Sequence, residues 1–510
     1  MKKSLLVDFL EKQSEKHSNK NSILFYEDTY TYSELNSLVS RFATGLFTNF
    51  GIKKGDVVAI QSSNSVEYVI TLFACWRIGA TLTPLNPALK SEEIHFQLEN
   101  SEAKCFIYEG YIGDKAREAV KLLEKRVLQI VFNGTKLKDE LEFTEVFESN
   151  SLLPKDEIIS INEIGLIIYT SGTTGKPKGV MLTHSNIIEM VYMSISSLEL
   201  TEEDRSFLIL PLFHVNGIIF TLTSVLMVGG SAVIRKKFVL DEFLSCIEQY
   251  KPTFTSAVPT IYGMLANLPK NEENKYNLQS LRFGICGAAP VSLNLFERFE
   301  SRYPFKLIEG WGLSEGTCAT TLNPIDGKRK VGSIGRVLTG QQLQVVDEEG
   351  SEVPTGEKGE LIIKGPNVMQ GYLKRDDETK KTLKDGWLYT GDIGYKDEDG
   401  FFYIVDRKKD LIIRGGMNIY PKQIEEILYQ IPEVLEAAVV GVPDELYGEE
   451  VLAYVVLREK ATISEDDIIH YCQKRMANYR CPKKVIKLTE LPKNAVGKIT
   501  KGPLRDMATT

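Results

Sequence analysis

The segment "IGLIIYTSGTTGKPKGVMLTH", residues 164–184, changes abruptly from an apolar run to a loop rich in glycine, hydroxyl groups and lysine. The run "IGLIIYT" is short and bounded by turn formers, which predicts a buried strand. Glycines let backbone N–H groups approach an anion, and Lys176 and Lys178 supply positive charge. The segment therefore predicts a phosphate-binding loop. It differs from the common ATPase loop G-x-x-x-x-G-K-[ST], because Pro177 follows Lys176.

Length and composition describe a globular protein of several domains. The chain has 510 residues, of which 43% are hydrophobic and 25% charged, and this length predicts two to four domains. The net charge of −8 argues against nucleic acid as the main partner. Residues 471–505 are nevertheless basic, with ten Lys or Arg and one acidic residue. The sequence leaves open whether this segment is a solvated surface or faces phosphate.

The cysteines and the apolar segments bear on location. The seven cysteines are scattered without a C-x-x-C pair, which is typical of reduced thiols in a cytoplasmic protein. Asp8 and Glu11 interrupt the N-terminal apolar residues, so no signal peptide is expected. Residues 217–234 carry no charge, but the pair Gly229-Gly230 favours a buried helix, a turn and a strand over a membrane span. We expect a cytoplasmic location and no integral membrane segment.

Three patterns follow one another along the chain. The first half alternates strand-like and helical segments, which predicts parallel sheets covered by helices. From about residue 333 to 406, short strands separated by glycine and acidic turns predict a small antiparallel β unit. Residues 407–510 return to mixed helices and strands. The predicted class is α/β, with a large domain over residues 1–406 and a small mobile C-terminal α/β domain over residues 407–510.

Five motifs occur in an order that resembles the adenylate-forming (AMP-binding) superfamily, in its acyl-CoA synthetase branch. They are "YTSGTTGKPKG" (169–179), "GWGLSE" (310–315), "YTGD" (389–392), "DRKKDLI" (406–412) and "LPKNAVGK" (491–498). The resemblance covers nearly the whole chain. It implies an AMP-forming acid–thiol ligase that uses ATP, Mg²⁺ and coenzyme A. In such an enzyme a carboxylate attacks the α-phosphate of ATP, and a thiol then takes the acyl group from acyl-AMP.

The resemblance also implies which residues act. In-line attack at phosphorus needs alignment and charge neutralisation more than a protein nucleophile. The implied phosphate-loop residues are Thr170, Ser171, Gly172, Thr173, Thr174 and Lys178. The implied nucleotide-binding residues are Gly287, Ala288, Ala289 and Trp311 at the adenine, Asp392 and Arg407 at the ribose, and also Glu309, Gly310 and Gly312. The implied catalytic residues are Lys498, Glu315, Ser314 and His214, with Glu315 and Thr170 also at the metal.

The second half-reaction involves other residues. The resemblance implies that the small domain rotates about Lys409, and that Gly415 and Gly416 line a channel for the thiol. Lys237 matches a position that contacts coenzyme A in some relatives, although a solvated lysine is an equally good interpretation. The turn at residues 287–290 would also be ordinary between a strand and a helix. Ile413 replaces a lysine that coumarate ligases and luciferases have, which argues against those two groups.

The acid and the acceptor stay open at this point. The expected acid pocket lies between His214, residues 256–260 and Gly310, with Asn216 as its only evident polar residue and no obvious cation. This favours an aliphatic or aromatic monocarboxylate. The acceptor is coenzyme A or, as an alternative, the phosphopantetheine of a carrier protein. An inactive nucleotide-binding scaffold is disfavoured, because the residues implied for catalysis are intact.

Overall fold

The structure is a computed structural model that describes residues 5–148, 153, 159–170, 177–287, 291, 293–459, 461–493 and 499–509. Seven predicted site residues lie outside the described residues: Ser171, Gly172, Thr173, Thr174, Ala288, Ala289 and Lys498. No helix within the described ranges is long and apolar enough to cross a membrane.

The strands mostly have two to seven residues, and the longest have ten or eleven. They are β1 Asn21–Phe25, β2 Asp28–Thr31, β3 Val57–Gln61, β4 Thr81–Leu85, β5 Cys105–Glu109, β6 Leu128–Phe132, β7 Leu141–Glu142, β8 Ile164–Thr170, β9 Lys178–Thr183, β10 Arg205–Leu208, β11 Ser231–Ile234, β12 Phe254–Ala257, β13 Phe283–Cys286, β14 Lys306–Trp311, β15 Thr321–Leu322, β16 Arg336–Val337, β17 Gln342–Val346, β18 Gly359–Lys364, β19 Gly371–Tyr372, β20 Leu383–Lys384, β21 Trp387–Lys396, β22 Phe402–Arg407, β23 Ile412–Arg414, β24 Met417–Ile419, β25 Val434–Asp444, β26 Gly448–Leu457 and β27 Lys484–Leu488.

The α-helices alternate with the strands. They are α1 Leu5–Lys16, α2 Tyr32–Thr48, α3 Val66–Ile78, α4 Ser91–Ser101, α5 Gly113–Lys121, α6 His184–Ser197, α7 Ser224–Met227, α8 Leu240–Tyr250, α9 Pro259–Ala266, α10 Leu293–Glu300, α11 Asp376–Thr382, α12 Pro421–Leu428, α13 Glu465–Gln473 and α14 Lys501–Thr509.

Two large sheets form the first part of the chain. One has the strand order β16-β15-β14-β13-β12-β10-β11-β1-β2, and the other has the order β19-β9-β8-β4-β3-β5-β6-β7. Their central pairs are parallel, whereas β8 pairs antiparallel with β9, and β14 with β15. Parallel centres covered by helices confirm the predicted α/β class. Thr170 and Lys178 lie in the β8–β9 pair, and Gly310 and Trp311 lie in the β14–β15 pair.

The helix α3 illustrates how the sequence specifies an element of this core. The side chain of Ser65 accepts a hydrogen bond from the N–H of Tyr68 at the start of the helix, and Gly79 ends it with φ of 70°. Only glycine adopts this left-handed conformation without steric cost. Nearly all residues between the caps are buried, because α3 lies inside the large domain with apolar side chains on every face.

The uncharged segment 217–234 folds as the sequence predicts. A π-helix over Asn216–Thr223 continues into α7, and a turn at Gly229 and Gly230 leads to β11. β11 lies between β1 and β10 in the middle of the first large sheet. The segment is therefore part of the core.

The two smaller sheets meet at a short link. One antiparallel sheet consists of β17, β18, β20, β21 and β22. Its last strand in the chain, β22, ends at Arg407. A 3₁₀ helix over Lys408–Asp410 follows, and β23 then joins a separate sheet with β24–β27. The last sheet has its own apolar core, which includes Ile412, Val439 and Val455.

Candidate active site

The predicted ribose carboxylate lies where two strands meet. Asp392 of β21 is paired in register with Arg407 of β22, and only 4% of its surface is exposed. Its Oδ1 lies 3.1 Å from Nε of Arg407, and its Oδ2 accepts a hydrogen bond of 2.8 Å from Nε1 of Trp311. Three residues predicted from separate motifs thus lie together. The carboxylate is oriented by both neighbours.

Glycines allow close backbone approach beside Trp311. A Cβ atom on Gly287 would lie 2.9 Å from the carbonyl oxygen of Gly310, and one on Gly312 would lie 2.0 Å from the carbonyl oxygen of Cys318. Neither position has room for a side chain. The ends of β13 and β14 therefore come close together next to an aromatic plane, which is the arrangement predicted for adenine.

Glu315 and Lys178 are connected through a tyrosine that no motif indicates. Ser314 and Glu315 begin a 3₁₀ helix over Ser314–Gly316. The hydroxyl of Tyr372 donates a 2.9 Å hydrogen bond to Oε1 of Glu315, and Nζ of Lys178 lies 5.1 Å from the centre of the Tyr372 ring. Burial and the Glu315 carboxylate both raise the pKa of Tyr372, so its hydroxyl stays protonated and can donate.

Lys178 already has an anionic partner in this arrangement. Its ammonium forms an ion pair with Glu378 of α11, and Glu378 is also bound by Arg375. Thr170 lies opposite Lys178, because β8 and β9 pair across the loop. The hairpin therefore holds both ends of the predicted phosphate loop, while contact of these residues with phosphate stays a prediction.

The residues around Glu315 fit a magnesium ion that arrives with a nucleotide. No group of three or more His, Cys, Asp or Glu that could hold a metal occurs within the described part of the chain. Mg²⁺ is commonly bound by one or two carboxylates together with substrate phosphates, so a single carboxylate such as Glu315 suffices.

Two buried polar atoms border the predicted acid pocket. Nε2 of His214 and Oδ1 of Asn216 have no hydrogen-bond partner among the described residues. Burial lowers the pKa of His214 to about 4, so its imidazole is neutral at pH 7. Asn216 begins the π-helix, a local irregularity that is frequent at functional sites. Buried polar groups without partners are rare, so these two atoms are candidates for contact with a ligand.

Glu309 is a buried carboxyl group beside the C-terminal domain. Burial raises its pKa to about 8, and its Oε2 has no partner among the described residues. Lys422 and Glu426 of α12 shift this pKa in opposite directions, which places α12 near β14. The prediction that Glu309 binds nucleotide has no contact here that tests it.

Polar contacts surround the predicted hinge. The N–H of Lys422 donates to Oδ2 of Asp406 at 2.9 Å, and its Nζ donates to the carbonyl oxygen of Ile404 at 2.8 Å. Arg505 of α14 lies 2.6 Å from Oδ1 of Asp410. The Lys409 side chain between these contacts is exposed.

The residues predicted for the thiol are all exposed. Gly415 and Gly416 form the exposed turn between β23 and β24, with φ of 57° and 79°. Lys237 is exposed after β11 and has no hydrogen bond or ion pair with another described residue. Sequence analysis missed Tyr372, Glu378 and Lys422. Only the pairing of β19 with β9 and the approach of α12 reveal them.

Two family models match the chain. The model described as AMP-binding enzyme matches residues 10–373, and the model described as AMP-binding enzyme C-terminal domain matches residues 423–498. The chain belongs to the AMP-binding enzyme family. The predicted family is therefore confirmed.

Curated relatives of this AMP-binding enzyme are CoA ligases with different acids. The chain is 35% identical to a long-chain-fatty-acid–CoA ligase of Bacillus subtilis, and the alignment covers 99% of this chain and 94% of the relative. It is also 35% identical to a feruloyl-CoA synthase of an Amycolatopsis species, with 93% of each chain covered. Relatives at the same identity thus act on unlike acids.

Solved structures of the family superimpose on nearly the whole chain. The ATP-bound MatB of Rhodopseudomonas palustris has a TM-score of 0.91 at 32% identity, with 99% of each chain covered. The apo form of MatB covers the same shares with a TM-score of 0.80 at 31% identity. O-succinylbenzoate coenzyme A synthetase of Bacillus subtilis with ATP and magnesium has a TM-score of 0.85 at 30% identity, with 99% of each chain covered. This AMP-binding enzyme therefore resembles the ATP-bound form of MatB more closely than its apo form.

Proposed function

We propose that this AMP-binding enzyme activates an apolar monocarboxylic acid as acyl-AMP, releases pyrophosphate and transfers the acyl group to coenzyme A. The observation that supports this most directly is the Asp392 carboxylate, fixed by Trp311 and Arg407 on one side of the site, with Glu315 beside Lys178 on the other. We infer that the Asp392 end holds the ribose and the Glu315 end holds the phosphates of one nucleotide.

The reaction class agrees with the relatives. The chain is an AMP-forming acid–CoA ligase that uses ATP, Mg²⁺ and coenzyme A, as its similarity to CoA ligases and to a structure with ATP and magnesium supports. The predicted enzyme class and cofactors are confirmed at this level. Coenzyme A is favoured over a carrier protein, because the relatives named above are CoA ligases.

Each half of the site has a proposed role in the first half-reaction. Asp392 accepts both ribose hydroxyls, which an ionised carboxylate can do with its two oxygens. Glu315 faces the metal, whose charge helps to neutralise the phosphates. The lysine of the last motif, Lys498, reaches the α-phosphate and the acid. Charge fixed where charge develops lowers the barrier without reorganisation.

The second half-reaction uses the link between the domains. We place the division between residues 406 and 407, with Lys409 as the hinge. The closer match to the ATP-bound form of MatB supports the view that the present arrangement serves adenylation. Rotation about the link would then replace Lys498 with the turn at Gly415 and Gly416. The ion pairs at the link lie at side-chain ends and can exchange.

The acid is proposed from the pocket chemistry. His214 is neutral, and no lysine or arginine is predicted at the pocket, so a second carboxylate on the substrate would lack a counter-charge. An aliphatic or aromatic monocarboxylate fits best. A cytoplasmic location is also a proposal, supported by seven cysteines that are all free thiols.

The test is pyrophosphate release from ATP with a panel of acids. Hexanoate, palmitate and ferulate represent the proposed class, and malonate is the matched dicarboxylate. We expect pyrophosphate release with at least one monocarboxylate, an acyl-CoA product when coenzyme A is added, and little activity with malonate. Efficient use of malonate would contradict the substrate proposal. Release that is not followed by acyl-CoA formation would contradict coenzyme A as the acceptor.

A further inference from the structure

A polar cavity of about 310 Å³ lies beside Glu315, and Thr390 and Gly391, which precede Asp392, also line it. Its lining includes Glu315, Tyr372, Glu360 and three lysines, Lys381, Lys384 and Lys408. The lysines come from three elements: the end of α11, β20 and the 3₁₀ helix at the domain link. None of these lysines belongs to a motif that the sequence analysis used for phosphate binding.

The charges of the cavity favour an anion. Lys381 and Lys384 form no ion pair with any carboxylate of the described residues, and Nζ of Lys384 lies 4.5 Å from the centre of the Tyr389 ring. Nζ of Lys408 lies 3.1 Å from Oε2 of Glu360. Two ammonium groups therefore lack an acidic partner beside the cavity. The third can exchange its carboxylate for a ligand anion through side-chain movement alone.

The position of the cavity relates this anion to the reaction. Glu315, which is proposed to face the metal of the bound nucleotide, forms one part of the lining. The hydroxyl of Tyr372 donates to Glu315, so the tyrosine orients the carboxylate at the cavity wall. Glu315 and the lysines line the same space, so an anion bound together with a divalent cation could contact both.

We infer that this cavity binds the inorganic pyrophosphate that adenylation releases, as its complex with a divalent cation, on its way out of the site. The inference rests on the proposed function. In the reaction, an oxygen of the acid forms a bond to the α-phosphorus, and the bond from that phosphorus to the bridging oxygen breaks. Pyrophosphate leaves with the electron pair of that bond, so it carries the charge that Lys381, Lys384 and Lys408 attract.

Direct binding of magnesium pyrophosphate to the nucleotide-free enzyme, measured by isothermal titration calorimetry, tests the inference. The double variant Lys381→Ala/Lys384→Ala is expected to raise Kd about 10-fold, because each exposed ammonium contributes modestly to anion binding. Lys380→Ala removes an exposed charge from the same helix without touching the cavity, and should change Kd less than about twofold. Lys381→Arg/Lys384→Arg keeps both charges and should restore most of the binding. An unchanged Kd in the alanine double variant overturns the inference.

Steady-state kinetics distinguish binding of product pyrophosphate in the cavity from binding of the terminal phosphates of ATP. Product pyrophosphate is expected to inhibit the alanine double variant about 10-fold less strongly than the native enzyme, with KM for ATP unchanged. A rise of KM for ATP by the same factor would overturn the inference, because the cavity would then bind the terminal phosphates of ATP. Absence of acid-dependent pyrophosphate release in the native enzyme would instead contradict the proposed function. The calorimetric comparison would still decide whether the lysines bind pyrophosphate.

Discussion

The ribose end of the candidate site and the link to the small domain are built in opposite ways. Asp392 is almost fully buried and is held by donors from two different elements, Trp311 and Arg407. The link over Lys408–Asp410 has exposed lysines, and its neighbours contact it through the ends of long side chains such as Arg505. One region is fixed before a nucleotide arrives, and the other is held by contacts that can be exchanged.

The difference matters for a reaction in two steps. A preorganised carboxylate loses little conformational freedom on binding, so more of its interaction energy appears as affinity. The ion pairs at the link, Arg505–Asp410 and Lys408–Glu360, each join a partly exposed cation to a largely buried carboxylate. The proposed hinge at Lys409 requires that the Asp392 end stays constant through both half-reactions while the link changes conformation.

The largest expected effect comes from Lys409→Pro, which would make the link as rigid as the Asp392 end of the site. Proline fixes φ near −65°, a value that the present 3₁₀ helix accepts but a rotated link need not. Formation of acyl-AMP should stay within about threefold of the native rate, whereas transfer from acyl-AMP to coenzyme A should fall about 100-fold. Single-turnover assays of each half-reaction measure the two rates separately.

Lys409→Ala is the matched control for the proline variant. It removes the same side chain and leaves φ free, so both half-reactions should stay near the native rates. A thermal melt of each variant shows whether the fold is preserved. Equal losses of both half-reactions in Lys409→Pro, at an unchanged melting temperature, would exclude Lys409 as the hinge.

A smaller effect is expected at the rigid end, in Asp392→Asn. The amide keeps the size of the carboxylate and one acceptor but loses the charge and the second acceptor. Charge-assisted hydrogen bonds contribute about 1.5–3 kcal/mol, so KM for ATP should rise about 10- to 100-fold. Trp311→Phe keeps the carboxylate and an aromatic plane but removes one orienting donor, and should raise KM less. An unchanged KM in Asp392→Asn would exclude the ribose role.

The sequence predicts the residues around Asp392 but not the residues that contact Glu315 and the link. Trp311, Asp392 and Arg407 lie in motifs whose chemistry restricts them, and the structure brings them within hydrogen-bond distance. Tyr372 and Lys422 act only because β19 pairs with β9 and α12 approaches β14. Such contacts depend on packing between segments far apart in the chain. Local patterns do not encode them.

The cavity beside Glu315 also results from packing between segments that are separate in the sequence. Lys381, Lys384 and Lys408 come from three separate elements and look like ordinary surface lysines in the sequence. Folding places them around one space. The local sequence also does not predict the π-helix at Asn216. The apolar run predicts a buried helix but not its wider hydrogen-bonding pattern.

The smallest expected effect concerns Glu309 of β14, which α12 of the C-terminal domain approaches. Its ordinary pKa of 4.5 is raised to about 8 by burial, and Lys422 and Glu426 face it from α12. The folded protein therefore binds a proton here more tightly than the unfolded chain does. The stability contributed by this proton is fully present below pH 4.5 and is lost as the pH rises through 8.

The variant Glu309→Gln has no such proton to lose. The melting temperature of the native protein, relative to Glu309→Gln, should fall between pH 5.5 and 8.5. Differential scanning calorimetry of both proteins at these two pH values measures the change.

Glu426→Gln controls for the neighbouring charge, since Glu426 raises the Glu309 pKa only through its electric field. This variant should keep most of the pH dependence. A constant difference between native protein and Glu309→Gln across this range would mean that Glu309 is ionised in the folded protein, and that α12 does not bury it.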